Sequence, residues 1–449
     1  RRHSFPTRRS SDLFARAAAG ATEVLLLPGA PGIGKSALIN EVQRPIVACR
    51  GLYAAGKFDQ YTRGIPLAAV LQAFRSLLRQ LLTEDEAQLR AYRESLDAAL
   101  GPNIPVLADV LPELALITGP RPPVPALPPT ETQHRFERSF ANFLHALATP
   151  EHPLVLVLDD LQWADLPSLN LLVQLCTRAG SGHLLVIGAY RDGEVGPGHP
   201  LRITLQELTG RGLRVTELPV GALAEEDVQA LVVATLRAPA SEVAAFARAL
   251  CARTAGNPFF VTQLLHRLHR DGLIALDRAA GRFVLAEDAL ARLPVSDNVA
   301  DLMSAALTRL PPATQRALRV AACIGAEFEL ATLAAVDGAA RTAAADALWP
   351  ALLEGLLLPL SGAYRTVAED DATVVRYRFA HDRVQQAAYG LLRADELSPL
   401  HHAIGERLLA QLPAEEREQR LFEIVTHLNK GIDQRRDEAA RAALADLNL

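Results

Sequence analysis

Lysine is nearly missing from this chain. Of 46 basic side chains three are lysines, Lys35, Lys57 and Lys430, so arginine fills the generic basic positions and each surviving lysine calls for a chemical reason. Cysteine is also scarce. The four thiols (Cys49, Cys176, Cys251, Cys323) lie far apart, form no CxxC pair and sit among apolar or helix-forming neighbours. That excludes a disulfide framework and a thiolate metal cluster, and leaves reduced core thiols. No apolar run approaches the ~18 to 20 residues that span a bilayer, and no charged-apolar-small signal peptide opens the chain. A cytoplasmic protein with no membrane partner is therefore expected. The net charge of −5 argues against nonspecific nucleic-acid binding as the main task.

Apolar material, in contrast, is ample. With 449 residues, 49% of them hydrophobic and 22% charged, the chain can bury several cores, which implies about two to four globular domains. The opening segment, RRHSFPTRRSSDL, is set apart from them. HSFPTRRSSDL resembles the conceptual translation of a common sequencing-adapter oligonucleotide, and no initiator Met precedes it. Residues 1–13 are expected to be a non-native tail outside the fold.

The chemistry begins at EVLLLPGAPGIGKSALINEV, residues 23–42. A short apolar strand, Val24 to Leu27, runs into G-x-x-x-x-G-K-S and then into a helical pattern, the context that gives this motif its meaning. Gly29, Gly32 and Gly34 let the backbone curl so that consecutive N–H groups and a helix N-terminus face a β-phosphate. Lys35 adds charge toward the β- and γ-phosphates, and Ser36 can ligate Mg²⁺. In the absence of nucleotide the Lys35 side chain is expected to face solvent.

A second buried strand, Leu154 to Leu158, ends in two adjacent carboxylates within LVLVLDDLQWAD. Its unbroken apolar run fits a strand of a parallel sheet covered on both faces. Asp159 is then the magnesium carboxylate, acting through bound water. If the P-loop reading holds, Asp160 stands where strongly hydrolytic P-loop ATPases of the additional-strand type carry a glutamate that polarises the attacking water; it is one methylene shorter, and misplacing such an acid by ~1 Å can cost on the order of 10²-fold in rate. Helix capping is the competing role for both aspartates. The strand in LLVIGAYRD, residues 184–192, ends at Arg191, which can either reach a γ-phosphate as a sensor or form an ordinary ion pair.

GAPGIGKS, LVLVLDDLQWAD, GAYRD and TAGNPFFV together resemble the STAND branch of signal-transducing P-loop ATPases, related to AAA proteins. More narrowly, GKFDQYTRGIPLAAVLQAF, RFERSFANFL, YRFAHDRVQQAAY and HHAIGERLL are similar to the ATPase module of large bacterial hybrids that join a serine/threonine kinase, this ATPase, helical repeats, a GAF domain and a histidine kinase. The resemblance implies an α/β P-loop core with a parallel sheet, then a helical lid, a winged-helix domain and the start of an α-helical repeat. The expected boundaries are 14–219 for the core, with a helical and Pro-rich insertion at 83–130, then 220–295, 296–392 and 393–449. Core strands are expected near 24–27, 46–50, 154–158, 184–189 and 213–218.

The resemblance also implies ATP or ADP with Mg²⁺ as ligands. It places Pro258, in Gly256-Asn257-Pro258-Phe259-Phe260, near the adenine, and His381, before Asp382, on the β-phosphate of ADP. The residues themselves also permit a plain proline-started helix and a helix-capping pair. The candidate recognition helix TAAADALWPALLEGL has no basic residue after Arg341, so nucleic acid is not an expected partner. Expected partners are kinase or sensor domains of a longer chain, other proteins bound by the helical repeats, and a nucleotide-dependent oligomer. Any kinase chemistry would lie outside these residues. Lys57, after the second strand with Tyr53, Phe58 and Tyr61 nearby, is open between a nucleotide contact and an acidic partner surface. A slowly hydrolysing switch is the favoured function; a vigorous AAA-type motor or an origin-recognition-like DNA-binding ATPase is the alternative.

Overall fold

The structure is a computed structural model that describes residues 5–48, 51–59, 66–178, 182–279, 281–286, 299–365, 374–411 and 420–434, with 289, 417 and 444 as single positions. Cys49, Tyr61 and, apart from Leu444, the helical pattern DEAARAALADL lie outside the described residues. The chain forms two compact units, one ending at Gly221 and one beginning at Ala222.

The first unit is built on five parallel strands: β1 (Thr22–Pro28), β2 (Leu52–Lys57), β3 (Leu154–Asp159), β4 (Leu184–Tyr190) and β5 (Val215–Glu217), in the order β2-β3-β4-β1-β5. Successive residues of a strand point to opposite faces, so one continuous apolar run feeds two cores. Leu154, Leu156 and Leu158 join Val24, Leu26, Leu184 and Val186 on one side. Val155 and Val157 join Leu25, Leu27, Leu185 and Ile187 on the other. Because all strands are parallel, their carboxyl ends share one edge, where α/β proteins place ligands.

Helices cover both faces. Helix α1 (Phe5–Ala18) and α2 (Lys35–Ala48) pack together, and α1 also lies on β1. Helix α1 begins inside the segment set apart as a tail, and Leu13, Phe14 and Ala17 from it are buried. On the opposite face stand α3 (Ala68–Leu81), α4 (Glu86–Leu100), the short α5 (Ile104–Ala108) and α6 (Pro112–Thr118), and α7 (Pro129–Leu147). RFERSFANFL works there as core: Phe140 and Phe143 meet Phe74 of α3 edge-on at 5.1 and 5.5 Å. Helices α8 (Leu166–Thr177) and α9 (Pro200–Gly210) complete the layer.

The strand expected at 46–50 is a correction. Pro45 disfavours a helix interior and the β-branched residues after it favour a strand on local propensity, yet α2 continues to Ala48 with Ile46 buried, and the strand lies at Leu52–Lys57. Its small residues, Ala54, Ala55 and Gly56, are poor strand formers. Close approach of α3 requires them, because a Cβ on Gly56 would collide with the Ala69 carbonyl oxygen.

The second unit has two apolar cores. The first belongs to α10 (Glu225–Leu236), α11 (Ala240–Thr254), α12 (Pro258–Arg270) and a hairpin of β6 (Ile274–Asp277) and β7 (Arg282–Leu285) that the sequence did not suggest. The second belongs to α13 (Val299–Thr308), α14 (Pro312–Ile324), α15 (Leu330–Asp337), α16 (Arg341–Leu353) and α17 (Asp382–Gly390), with α18 (Ala394–Gln411) and α19 (Leu421–Lys430) behind them. An antiparallel sheet of β8 (Glu327–Glu329), β9 (Leu357–Pro359) and β10 (Arg376–Phe379), in the order β8-β10-β9, closes it. Burial pushes the Cys176 and Cys323 thiols up to about 12, in keeping with inert core cysteines. Among the described residues no helix is long and apolar enough to cross a membrane.

A buried imidazole pair joins α18 to α19. The Nδ1 atoms of His401 and His427 are 2.9 Å apart, and the Tyr389 hydroxyl stands 3.2 Å from His401 Nε2. A hydrogen bond between two ring nitrogens needs one donor and one acceptor, which two neutral rings supply. Burial first, then His427 and Lys430, push His401 down to about 3; burial, then Lys430 and Arg420, push His427 down to about 4.

Two outcomes are expected from this packing. Gly56→Ala should cost about 1 to 3 kcal/mol through overpacking, read as a lower urea midpoint of the full chain; an unchanged midpoint would contradict the close approach of α3 to β2. The imidazole pair should make stability depend on pH. Both folded values lie below the unfolded value of about 6.5, so the unfolded chain binds more protons as pH falls from about 6.5 toward the folded values, and stability is lost over that window. A His401→Leu/His427→Leu variant should lose less stability than the wild type between pH 7.5 and 5 in urea denaturation, and equal losses would refute the assignment.

Candidate functional site

At the carboxyl end of β1 the chain turns through Gly29–Ser36 into α2. Gly34 has φ +101°, a conformation glycine tolerates, and a Cβ added there would meet nothing within 4 Å. Gly29 is constrained differently: a Cβ would stand 2.7 Å from the Val220 carbonyl oxygen. The loop is therefore seated on the sheet at its first glycine and open at its last.

Lys35 is the first residue of α2, and here the structure corrects the expected exposure. Its side chain is buried, and Nζ donates to the carbonyls of Gly29 at 2.7 Å and Ala30 at 3.1 Å. Curling the loop brings those carbonyls within reach of the ammonium, which satisfies a charge that would otherwise be desolvated. Burial holds the Lys35 ammonium below the ordinary lysine range, Asp159 and Asp160 oppose that shift, and Arg191 adds to it. Ser36, next on the helix, donates its hydroxyl to Asp159 Oδ2 at 3.2 Å.

The two aspartates part company at the end of β3. The Oδ1 of Asp159 accepts the Asp160 backbone N–H at 2.9 Å, while its other oxygen faces Ser36. Asp160 has φ 55° in the left-handed region, which aspartate adopts more readily than most residues. That step takes its buried carboxylate toward three partners. Oδ1 accepts from Gln162 Nε2 at 2.7 Å and lies 3.6 Å from Arg191 Nε, and Oδ2 lies 3.3 Å from Lys57 Nζ. Neither aspartate makes a side-chain cap, although Asp160 stands at the N-cap position of the short turn Leu161–Trp163. Asp165 caps α8 instead, accepting from the Ser168 N–H at 2.8 Å and the Ser168 hydroxyl at 2.7 Å.

Arg191 follows β4 and is buried. Besides Asp160, its guanidinium donates to Glu194 at 2.8 Å and lies over the Trp163 ring, 4.5 Å from the centroid. Its backbone N–H donates to Gln162 Oε1 at 3.0 Å. Gln162 and Trp163 were thus missed by sequence reasoning, although both stand in LVLVLDDLQWAD. A buried glutamine immediately after an acidic pair is the signal that could have found them. Lys57, whose partner the sequence left open, is the last residue of β2 rather than a loop residue. It sits opposite Asp159 in the strand register and pairs with Asp160.

Pro258 and His381 both lie in the second unit. Pro258 is the first residue of α12, and Asn257 caps that helix by accepting the Phe259 N–H at 3.1 Å. His381 caps α17, with Nδ1 accepting the Arg383 N–H at 3.1 Å. The Phe259 and His381 rings lie 4.4 Å apart between centroids with 30° between their planes. Among the described residues no group of three or more His, Cys, Asp and Glu could hold a metal. A hydroxyl beside a single carboxylate, as at Ser36 and Asp159, nevertheless suits Mg²⁺, which takes few protein ligands and completes its shell with water and phosphate oxygens.

Residues 9–187 match the family model of the AAA ATPase domain. Hybrid signal transduction histidine kinase G of Dictyostelium discoideum is 25% identical over an alignment that takes in 97% of this chain and 15% of that protein. Among solved structures, a Signal Transduction ATPase with Numerous Domains (STAND) protein with a tetratricopeptide repeat sensor from Pyrococcus horikoshii is similar, with a TM-score of 0.48 and 12% identity, over 97% of this chain and 50% of that one. The Orc1 protein of Aeropyrum pernix in complex with DNA has a TM-score of 0.34 and 16% identity, over 86% of this chain and 91% of that one. A P-loop that opens α2, with an acidic residue from β3 beside its serine, is what that domain family uses to hold a nucleotide. Residues 9–187 accordingly resemble an AAA ATPase domain.

Proposed function

We propose that the chain is an ATP-binding regulatory switch of the STAND kind, which hydrolyses ATP slowly and signals within a longer protein. The backbone N–H groups of Gly32–Ser36, at the N-terminus of α2, would hold the phosphates, with Lys35 adding charge toward the β- and γ-phosphates. Ser36 and Asp159 would hold Mg²⁺, which when bound neutralises phosphate charge. Arg191 would report the γ-phosphate, and Pro258 and His381 would read adenine and the β-phosphate of ADP.

The observation that carries slow turnover is the engagement of Asp160. Its carboxylate is occupied by Lys57, Arg191 and Gln162. It is also one methylene shorter than a glutamate would be at that position. A group so held has little freedom to orient a water molecule, and a general base must reach the proton it takes. Helices α13–α16 with the β8-β10-β9 sheet are read as a winged-helix arm, and α18 and α19 as the start of a helical repeat. Helix α16 has no basic residue after Arg341, which favours a structural arm over a DNA reader. The relative's name, a hybrid histidine kinase, supports kinase or sensor domains as partners. A cytoplasmic location and a nucleotide-dependent oligomer complete the reading.

The site assignment is tested first through binding. Lys35→Met keeps the buried stem and removes the charge. It should abolish ATP binding in calorimetry while circular dichroism stays native, and wild-type affinity in a folded variant would sink the assignment. Asp159→Ala should remove the magnesium dependence of binding along with turnover.

The switch reading is tested through rate. Asp160→Asn should spare ATP affinity and lower turnover, whereas Asp160→Glu should raise turnover if the shortfall is one of reach. Identical turnover in wild type and both variants would assign Asp160 to structure alone. A wild-type turnover typical of enzymes, on the order of 10 per second, would favour the motor reading instead.

A further inference from the structure

Helix α12 belongs to two cores at once. Its interior residues Val261, Leu264 and Leu268 are buried with α10 and α11. Phe259, at its first turn, packs instead against the core that contains α14 and α17. There its ring lies against His381, 4.4 Å between centroids. At the other end of α12, Arg270 forms an ion pair with Glu354, just beyond α16.

Both partners of the ring contact are fixed from behind. Gly256 has φ 69°, and a Cβ there would collide with the Leu223 carbonyl, while the Gly256 carbonyl accepts the Leu223 N–H at 2.9 Å. Asn257 then holds the Phe259 N–H. On the other side, His381 Nδ1 accepts the Arg383 N–H. An accepting Nδ1 puts the proton of a neutral ring on Nε2, which makes that nitrogen a donor suited to an anionic oxygen.

We propose that Phe259 is a positioning residue for nucleotide reading, its ring holding the His381 imidazole so that the turn bearing Pro258 and the start of α17 act as one element. The inference rests on the proposed role of His381 toward ADP. Phe259 touches no nucleotide in this scheme; it acts through His381 by restricting the ring to one plane while the capping bond restricts its tautomer. A leucine at 259 keeps apolar contact and loses the plane. A tyrosine keeps the plane.

The experiment is calorimetry of the full chain with MgADP and MgATP for wild type, Phe259→Leu, Phe259→Tyr, His381→Ala and the Phe259→Leu/His381→Ala double variant. His381→Ala should weaken ADP more than ATP, changing the preference by roughly 5- to 150-fold. Phe259→Leu should shift the preference in the same direction, Phe259→Tyr should retain most of it, and the double variant should be no worse than His381→Ala alone. If His381→Ala shifts the preference and Phe259→Leu does not, or if the two effects add, Phe259 does not act through His381 and the inference fails while the reading of His381 stands. Equal losses for both nucleotides in Phe259→Leu would assign the residue to packing. No shift in His381→Ala overturns the reading and the inference together. Should Phe259→Leu fail to fold, Phe259→Met is judged by the same outcomes.

Discussion

Two carboxylates on consecutive residues at the mouth of a buried strand repel each other and lose hydration, so they persist only where donors and cations meet them. Here a single left-handed step separates their surroundings. Asp159 stays with Ser36 of the P-loop, and Asp160 moves between Lys57 and Arg191. Those two cations stand at the ends of β2 and β4, the strands that flank β3. The order of the sheet is therefore part of the site's electrostatics: with any other neighbour for β3, one of the cations would be missing and a buried carboxylate would lack its partner.

That dependence gives meaning to the scarcity of lysine. Two of the three lysines, Lys35 and Lys57, converge on this one edge. A lysine ammonium is a compact point charge that can be satisfied by two carbonyls in a tight loop, as at Gly29 and Ala30, where the planar fork of arginine would not fit the same cradle. At 191 the demands differ. The guanidinium spreads over the Trp163 ring and still reaches Asp160 and Glu194, which a point charge could not do. Groups that share partners this closely respond to substitution as a unit, so their single effects are not expected to add.

The legible parts of the fold were those with a strong local signal. Strands β1, β3 and β4 are unbroken apolar runs, and GAPGIGKS carries its own context, so the sheet and the P-loop followed directly from sequence. Strand β2 did not. Its Ala-Ala-Gly stretch is dictated by the helix that crosses it, a tertiary demand that overrides propensity. The hairpin of β6 and β7 is short and interrupted by charges, which leaves little alternation to detect. Which carboxylate Lys57 would meet was beyond sequence for another reason: the pair is separated by about a hundred residues, and only the strand order brings it together. The capping roles were half legible, since His381 caps as its position suggests, whereas Asp160 makes no side-chain cap and the cap at Asp165 was not anticipated.

Within the second unit a run of contacts links α12 to α19. From Phe259 the contacts run to His381, which caps α17; near the end of α17, Tyr389 meets His401 of α18, and His401 meets His427 of α19. The links are a ring contact at Phe259–His381, the backbone of α17 from His381 to Tyr389, and hydrogen-bond contacts at Tyr389–His401 and His401–His427. Contiguity alone does not transmit anything; coupling requires an element with two arrangements whose balance the ligand shifts. What these contacts supply is packing, with few rotamer alternatives for the buried imidazole pair.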